Sequence, residues 1–145
     1  MAETKIPLIY GVPQEEFYKT LTAPKVYVAE LRPGLEGMTE VARSLIKNNI
    51  EPVVICDNML AFCMEKGLVS GVHIFGQGKN PAVCRTGSLI AAICAKYHQI
   101  PVVFHPGKEG KKASSLLAIG GKRVSVSKIK TYVPLEEDVP SEFIS

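Results

Sequence analysis

VYVAELRPGLEGMTEVARSLIKNNIEPVVIC, residues 26–56, is the stretch that decides the fold. Val26-Tyr27-Val28-Ala29 is a short apolar run after Pro24 and reads as a strand. Arg32-Pro33-Gly34 is a breaker cluster that ends it. Met38, Val41, Ala42, Leu45 and Ile46 then fall at i, i+3, i+4, i+7 and i+8, the spacing of an amphipathic helix, which Asn48-Asn49 closes. Val53-Val54-Ile55-Cys56 is short and uninterrupted, as a buried parallel strand should be. Strand, helix and strand within about 30 residues make a βαβ unit.

The alternation continues outward. Asp57 follows the second strand and is placed to cap backbone N–H groups. Residues 59–64 read as a short, nearly all-apolar helix with Gly67 as its stop. Val72-His73-Ile74-Phe75 is a third strand and residues 76–81 a loop. A helix runs from Thr86 or Ser88 to His98, with Leu89, Ile93 and Tyr97 along one face. Pro101-Val102-Val103-Phe104 is a fourth strand. Upstream, residues 6–10 read as a strand and 15–21 as a short helix. Downstream, residues 107–112 form a polar, basic loop, 124–126 and 129–133 short strands, and 134–145 carry few signals. Strands alternating with helices predict an α/β fold, a mainly parallel sheet flanked by helices in three layers.

Composition bounds the rest. The 145 residues are 46% hydrophobic and 21% charged, an ordinary globular balance with room for a single domain. No apolar run approaches the roughly 20 residues of a membrane helix. The start, Met1-Ala2-Glu3-Thr4-Lys5, is polar, carries an acid and lacks a signal-peptide core. A cytoplasmic protein is expected. Cys56, Cys63, Cys84 and Cys94 form no Cys-x-x-Cys pair and have no His at zinc spacing, so reduced, mostly buried thiols and no metal are expected. The net charge of +3 is mild. Lys108, Lys111, Lys112, Lys122, Arg123, Lys128 and Lys130 gather late in the chain, but no aromatic residues interleave to stack bases. This argues against nucleic acid and for a solvated surface. Gly76-Gln77-Gly78-Lys79 lacks the spacing of a P-loop or a dinucleotide fingerprint, and no cofactor is expected.

Several segments, in order, resemble a known family. Ala29-Glu30-Leu31-Arg32-Pro33 with Gly37 is similar to the Glu-x-Arg-Pro…Gly signature of the initiation factor 2B regulatory subunits and methylthioribose-1-phosphate isomerase. Ile50-Glu51-Pro52-Val53 with Asp57-Asn58-Met59 resembles its Gly-Ile-Pro-Val…Asp-Asn-Met/Ala segment, and residues 64–69 continue the likeness. Cys84-Arg85-Thr86-Gly87-Ser88 falls where that family has Asn-Lys-Ile-Gly-Thr. Ala95-Lys96-Tyr97-His98-Gln99-Ile100-Pro101 matches Ala-Lys-x-x-x-Ile-Pro, and Pro134-Leu135-Glu136-Glu137 resembles Pro-Ile-Glu-Glu. The likeness covers residues 25–140, with 1–24 as an amino-terminal extension. It implies the family's carboxy-terminal, Rossmann-like domain and, since members are commonly dimers through it, a homodimer.

The departures bear on chemistry. The isomerases are similar to one another in carrying a Cys in a Cys-Asn-x-Gly loop before the Glu-x-Arg-Pro strand. Here Tyr10-Gly11-Val12 stands nearest, and no Cys precedes residue 56. They also carry an Asp after the third strand, in a Gly-Ala-Asp-Arg pattern, where this chain has Gln77. Their amino-terminal helical region has no counterpart. An amide exchanges hydrogen bonds but not protons, so Gln77 cannot replace an acid. The resemblance therefore implies a non-catalytic binder of a phosphorylated small molecule or a protein partner. The alternative is a sugar-phosphate isomerase-like enzyme with altered catalytic residues.

Ligands of open parallel sheets bind beyond the carboxyl ends of the strands. Arg32, Asp57, Asn58, Gln77, Cys84, Arg85, Gly87 and Ser88 are the expected ligand-binding set. Arginine grips phosphate or carboxylate in a bidentate fork, and the Thr86-Gly87-Ser88 turn offers helix N–H groups to an anion. Each has a plainer role: Arg32 in a surface ion pair with Glu30 or Glu36, Asp57 as a cap. Cys84, beside Arg85 and ahead of a helix, is a candidate nucleophile if that setting lowers its pKa. The arginine that a phosphatase loop needs six residues on is absent, since Ile90 stands there. His105, at the end of the fourth strand, is a candidate acid or base. His73 and His98 are read as structural.

Overall fold

The computed structural model describes residues 4–109, 115–125 and 129–144. Five parallel strands form the body of the sheet: β1 (Ile6–Tyr10), β2 (Lys25–Ala29), β3 (Glu51–Ile55), β4 (Val69–Gln77) and β6 (Val102–Pro106). Spatially they run β3-β2-β1-β4-β6, with all pairings parallel. Two antiparallel strands, β5 (Ala82–Arg85) and β9 (Glu136–Val139), extend the sheet from the end of β4. The Rossmann-like α/β expectation holds.

β1 is the central strand, so the segment read as an amino-terminal extension is part of the sheet. Its side chains alternate between two cores. Leu8 and Tyr10 enter one core, with Ile55, Val72, Ile74 and the helices α3 (Leu60–Glu65) and α4 (Ser88–Tyr97). Ile9 enters the other, with Val26, Val28, Phe75 and the helices α1 (Glu15–Thr20) and α2 (Ala42–Lys47).

The helix of residues 38–46 begins as a π-helical turn, Gly37–Val41, and continues as α2. Val41, Ala42 and Leu45 are buried, while Met38 and Ile46, read as part of the same face, are exposed. Gly37 is needed at the start because a Cβ there would run into the Ala29 carbonyl. α2 ends through Asn49 at φ 59°, a left-handed position that Asn tolerates. β3 starts two residues earlier than read and includes Pro52, which an edge strand accepts.

α4 corrects a second expectation. It buries Ser88, Ala91, Ala92 and Ala95, small residues that let the helix lie close to the sheet. Ile93 and Tyr97 point outward instead; Tyr97 is 82% exposed.

β4 extends through Gly76 and Gln77, which were read as loop, because β5 folds back against them. β5 and β9 were not foreseen. Near the end, β7 (Ala118–Ile119) and β8 (Lys122–Arg123) form a small hairpin, and Val124 and Ser125, expected in a strand, are irregular. Described residues 129–133 are irregular. Lys111, Lys112, Val126 and Lys128 lie outside the described residues. No helix among the described residues is long and apolar enough to cross a membrane.

Candidate functional site

The strand order reverses around β1, so Tyr10, its last residue, stands at the switch point. Its hydroxyl donates to the Thr86 carbonyl at 2.8 Å. Burial pushes its pKa up; Asp57 and Glu137 add to the rise and Arg85 opposes it. Tyr10 thus marks the centre of a polar cluster contributed by four chain segments.

The first segment is the loop after β2. Asp57 holds it with both carboxylate oxygens, accepting the Leu31 and Arg32 backbone N–H groups at 2.8 Å each. Leu31 sits at φ 62°, a conformation that a side chain resists, so the carboxylate fixes a strained turn. Asp57 therefore braces the neighbouring loop, and it is Cys56 that stands at the cap position of the 3-10 turn Asp57–Met59. Arg32 pairs with Glu30 at 2.8 Å while its side chain stays 55% exposed.

Arg85, on β5, grips the same loop from the other side. Its guanidinium donates to the Arg32 carbonyl at 3.0 Å and the Leu31 carbonyl at 3.4 Å. It also lies 3.0 Å from Glu36 Oε2. That oxygen accepts no well-directed hydrogen bond from the described residues, so the Glu36 contact is an ion pair of charge rather than a formed fork.

The fourth segment is β9. Glu137 Oε2 accepts the Gly87 N–H at 2.6 Å and the Leu89 N–H at 3.1 Å. These are two of the donors at the α4 N-terminus, where a carboxylate is favoured by the helix dipole. Gly87 takes φ 108°, and a Cβ there would strike the Tyr10 hydroxyl. Two of the donors expected to await an anion are held by the chain's own acid. Thr86 Oγ1 and Ser88 Oγ are buried there without a hydrogen-bond partner among the described residues.

The expected set is divided between two hollows. Gln77, Cys84 and Arg85 line one of about 30 Å³, with Val12, Lys108 and Glu136. That is room for about one water. Arg32, Asp57 and Asn58 line a second, of about 200 Å³, with Glu30 and Cys56. Gly87 and Ser88 line neither. Gln77 donates its amide N–H to the Gly107 carbonyl at 2.6 Å. Lys108 lies across this mouth, 3.3 Å from Glu15 and 3.1 Å from Glu40.

The candidate catalysts have settings other than those expected. Cys84 is buried. Burial, and then Glu137, push its thiol up to about 12, the opposite of activation. His105 faces away from the Tyr10 cluster, on the α1 side of the sheet, with its Nε2 2.8 Å from His73 Nδ1. Burial lowers its pKa. His98 lies 3.9 Å from Glu65. Among the described residues no three His, Cys, Asp or Glu side chains gather where they could hold a metal.

Tyr10, Glu36 and Glu137 are the cluster members that sequence reasoning missed. Glu137 had a signal, the Pro134-Leu135-Glu136-Glu137 segment, but nothing in it tells which helix it reaches.

Comparison with known proteins agrees with this architecture. The model of the initiation factor 2 subunit family matches residues 14–105. A 5-deoxyribose 1-phosphate isomerase of Bacillus cereus is 32% identical over 158 aligned residues, covering 88% of this chain and 45% of that protein. A methylthioribose-1-phosphate isomerase of Crocosphaera subtropica is 37% identical over 121, covering 81% and 32%. In three dimensions the delta subunit of translation initiation factor eIF-2B from A. fulgidus superposes with a TM-score of 0.79 at 18% identity, covering 99% of this chain and 51% of that one. A 5-methylthioribose 1-phosphate isomerase from Pyrococcus horikoshii superposes at 0.74 and 19% identity, covering 97% and 49%. The chain spans less than half the length of the curated relatives it matches. On this evidence the chain belongs to the initiation factor 2 subunit family.

Proposed function

We infer that this chain is a single non-catalytic, cytoplasmic domain of its family that acts by binding a protein partner, the first being a second copy of itself. The observation that carries the reading is the self-occupied strand end. Glu137 takes the α4 donors, Arg85 is engaged by Glu36 and two carbonyls, and Asp57 by two N–H groups. Isomerising a sugar phosphate needs a site for the phosphate and groups that move protons between carbons. The hollow beside Gln77 and Cys84 is far smaller than such a substrate.

Meanwhile α3 and α4, which pack together, carry Phe62, Ile90, Ile93 and Tyr97 exposed. Large apolar side chains gathered on neighbouring helices mark a contact surface. Sedimentation of the chain should give a dimer that Ile93→Glu converts to monomer, since a buried unpaired carboxylate opposes association. A wild-type monomer at tens of micromolar, or a dimer indifferent to the substitution, contradicts this reading.

The phosphorylated small molecule is a second reading, and Arg32 favours it. Its half-exposed guanidinium lines the 200 Å³ hollow with Asn58. Glu30 and Asp57 line it too, and their charge opposes a phosphate. Thermal denaturation with inorganic phosphate or a pentose phosphate tests it. Ligand at 100 times its Kd would add about 2.7 kcal/mol, and no shift with either rejects it.

A further inference from the structure

His73 and His105 lie on adjacent strands, on the sheet face that α1 covers. Their rings are 5.0 Å apart, and Nδ1 of one lies 2.8 Å from Nε2 of the other. Phe17, from α1, packs on both, at 5.5 Å from His73 and 4.7 Å from His105. Phe75 completes the aromatic group, 4.8 Å from Phe17 and 5.2 Å from His105. Beside it a hollow of about 380 Å³ is lined by Gln14, Glu16, Phe17, Thr20, His105 and Pro106.

We propose that His73 and His105 form a proton-operated latch that holds α1 against the sheet and releases it when both rings are charged. A hydrogen bond between two imidazoles needs one donor nitrogen and one acceptor nitrogen. The pair meets this when neutral, and also when it shares a single extra proton. With two extra protons both facing nitrogens are donors. The bond is then lost and two positive charges face one another at contact distance.

α1 is poorly placed to resist. It has six residues, no side-chain cap bond, and Phe17 and Tyr18 as its buried side chains. Its neighbouring charges are few. α1 carries Glu15, Glu16 and Lys19. Glu16 lines the hollow beside His105, while Glu15 is already paired with Lys108 after β6. β4 and β6 carry no other charged residue. Glu16 is exposed, so its attraction for the cations is screened.

The sign follows from the shifts. Burial and then His105 lower the His73 pKa to about 4, and burial lowers that of His105. The unfolded rings titrate near 6.5. The neutral pair therefore contributes its full stability above about pH 6.5 and loses it as pH falls toward 4. Release of α1 would uncover Phe17 and Phe75 and separate Glu15 from Lys108.

Amide hydrogen exchange by NMR at pH 7, 5.5 and 4, corrected for intrinsic rates, tests the latch in the full chain. Histidine ring carbon shifts are followed in parallel. The proposal expects two proton-binding steps below pH 6.5. It also expects α1 protection to fall by at least about tenfold while β1 amides stay protected. In His105→Gln, which keeps a polar partner and cannot charge, the fall should shrink to less than about threefold. Unchanged α1 protection, or an equal loss in His105→Gln, overturns the proposal. So does loss in α1 and β1 together, which would be general acid unfolding. If His105→Gln does not fold, the wild-type data decide: α1 must open in step with the second titration, and opening unrelated to either ring rejects the latch.

Discussion

Arg85 and Asp57 take hold of the same two-residue stretch, Arg85 by its carbonyls and Asp57 by its N–H groups. Both residues are recognisable in the sequence as polar groups at strand ends, where ligands also bind. What they touch depends on residues more than 20 positions away in the chain, which spacing does not reveal. Cys84 shows the same limit. Its neighbours in sequence, Arg85 and a helix start, favour a thiolate. Its neighbours in space are a core and Glu137, and the thiol is pushed up to about 12. In the folded chain at pH 7.5, iodoacetamide should label the exposed Cys56 first and leave Cys84 unmodified, as peptide mass spectrometry would show. Labelling of Cys84 as fast as Cys56 would contradict its burial.

At the scale of elements, the five parallel strands were legible because they are apolar runs between breakers. β5 and β9 were not. Glu136-Glu137-Asp138-Val139 is mostly acids that strands disfavour; it is a strand because β5 offers it an edge. α4 was legible as a helix but not in its facing. Its alanines are too small to dominate a hydrophobic pattern, yet they face the sheet, and the larger Ile93 and Tyr97 are left outside. β9 also fastens α4 through Glu137. Glu137→Gln keeps the shape but removes the charge from bonds that it strengthens. It should cost about 1–2 kcal/mol, lowering Tm by several degrees in a thermal melt. An unchanged Tm would mean that β9 does not hold the α4 N-terminus.

At the scale of the molecule, the family and the fold follow from ordered short motifs together with the three-layer architecture. The purpose of the strand-end cluster does not, because relatives of this fold include both isomerases and initiation factor subunits. The non-catalytic reading proposed above rests on the switch point, where Tyr10, Glu137, Arg85 and Asp57 are each engaged by neighbouring groups of the chain. The most direct measurement is turnover of 5-deoxyribose 1-phosphate and methylthioribose 1-phosphate by the purified chain, followed by NMR for the ketose product. The account predicts conversion no faster than the enzyme-free control for both. Saturable conversion above that control, abolished by Arg85→Ala in protein that remains folded, would contradict it.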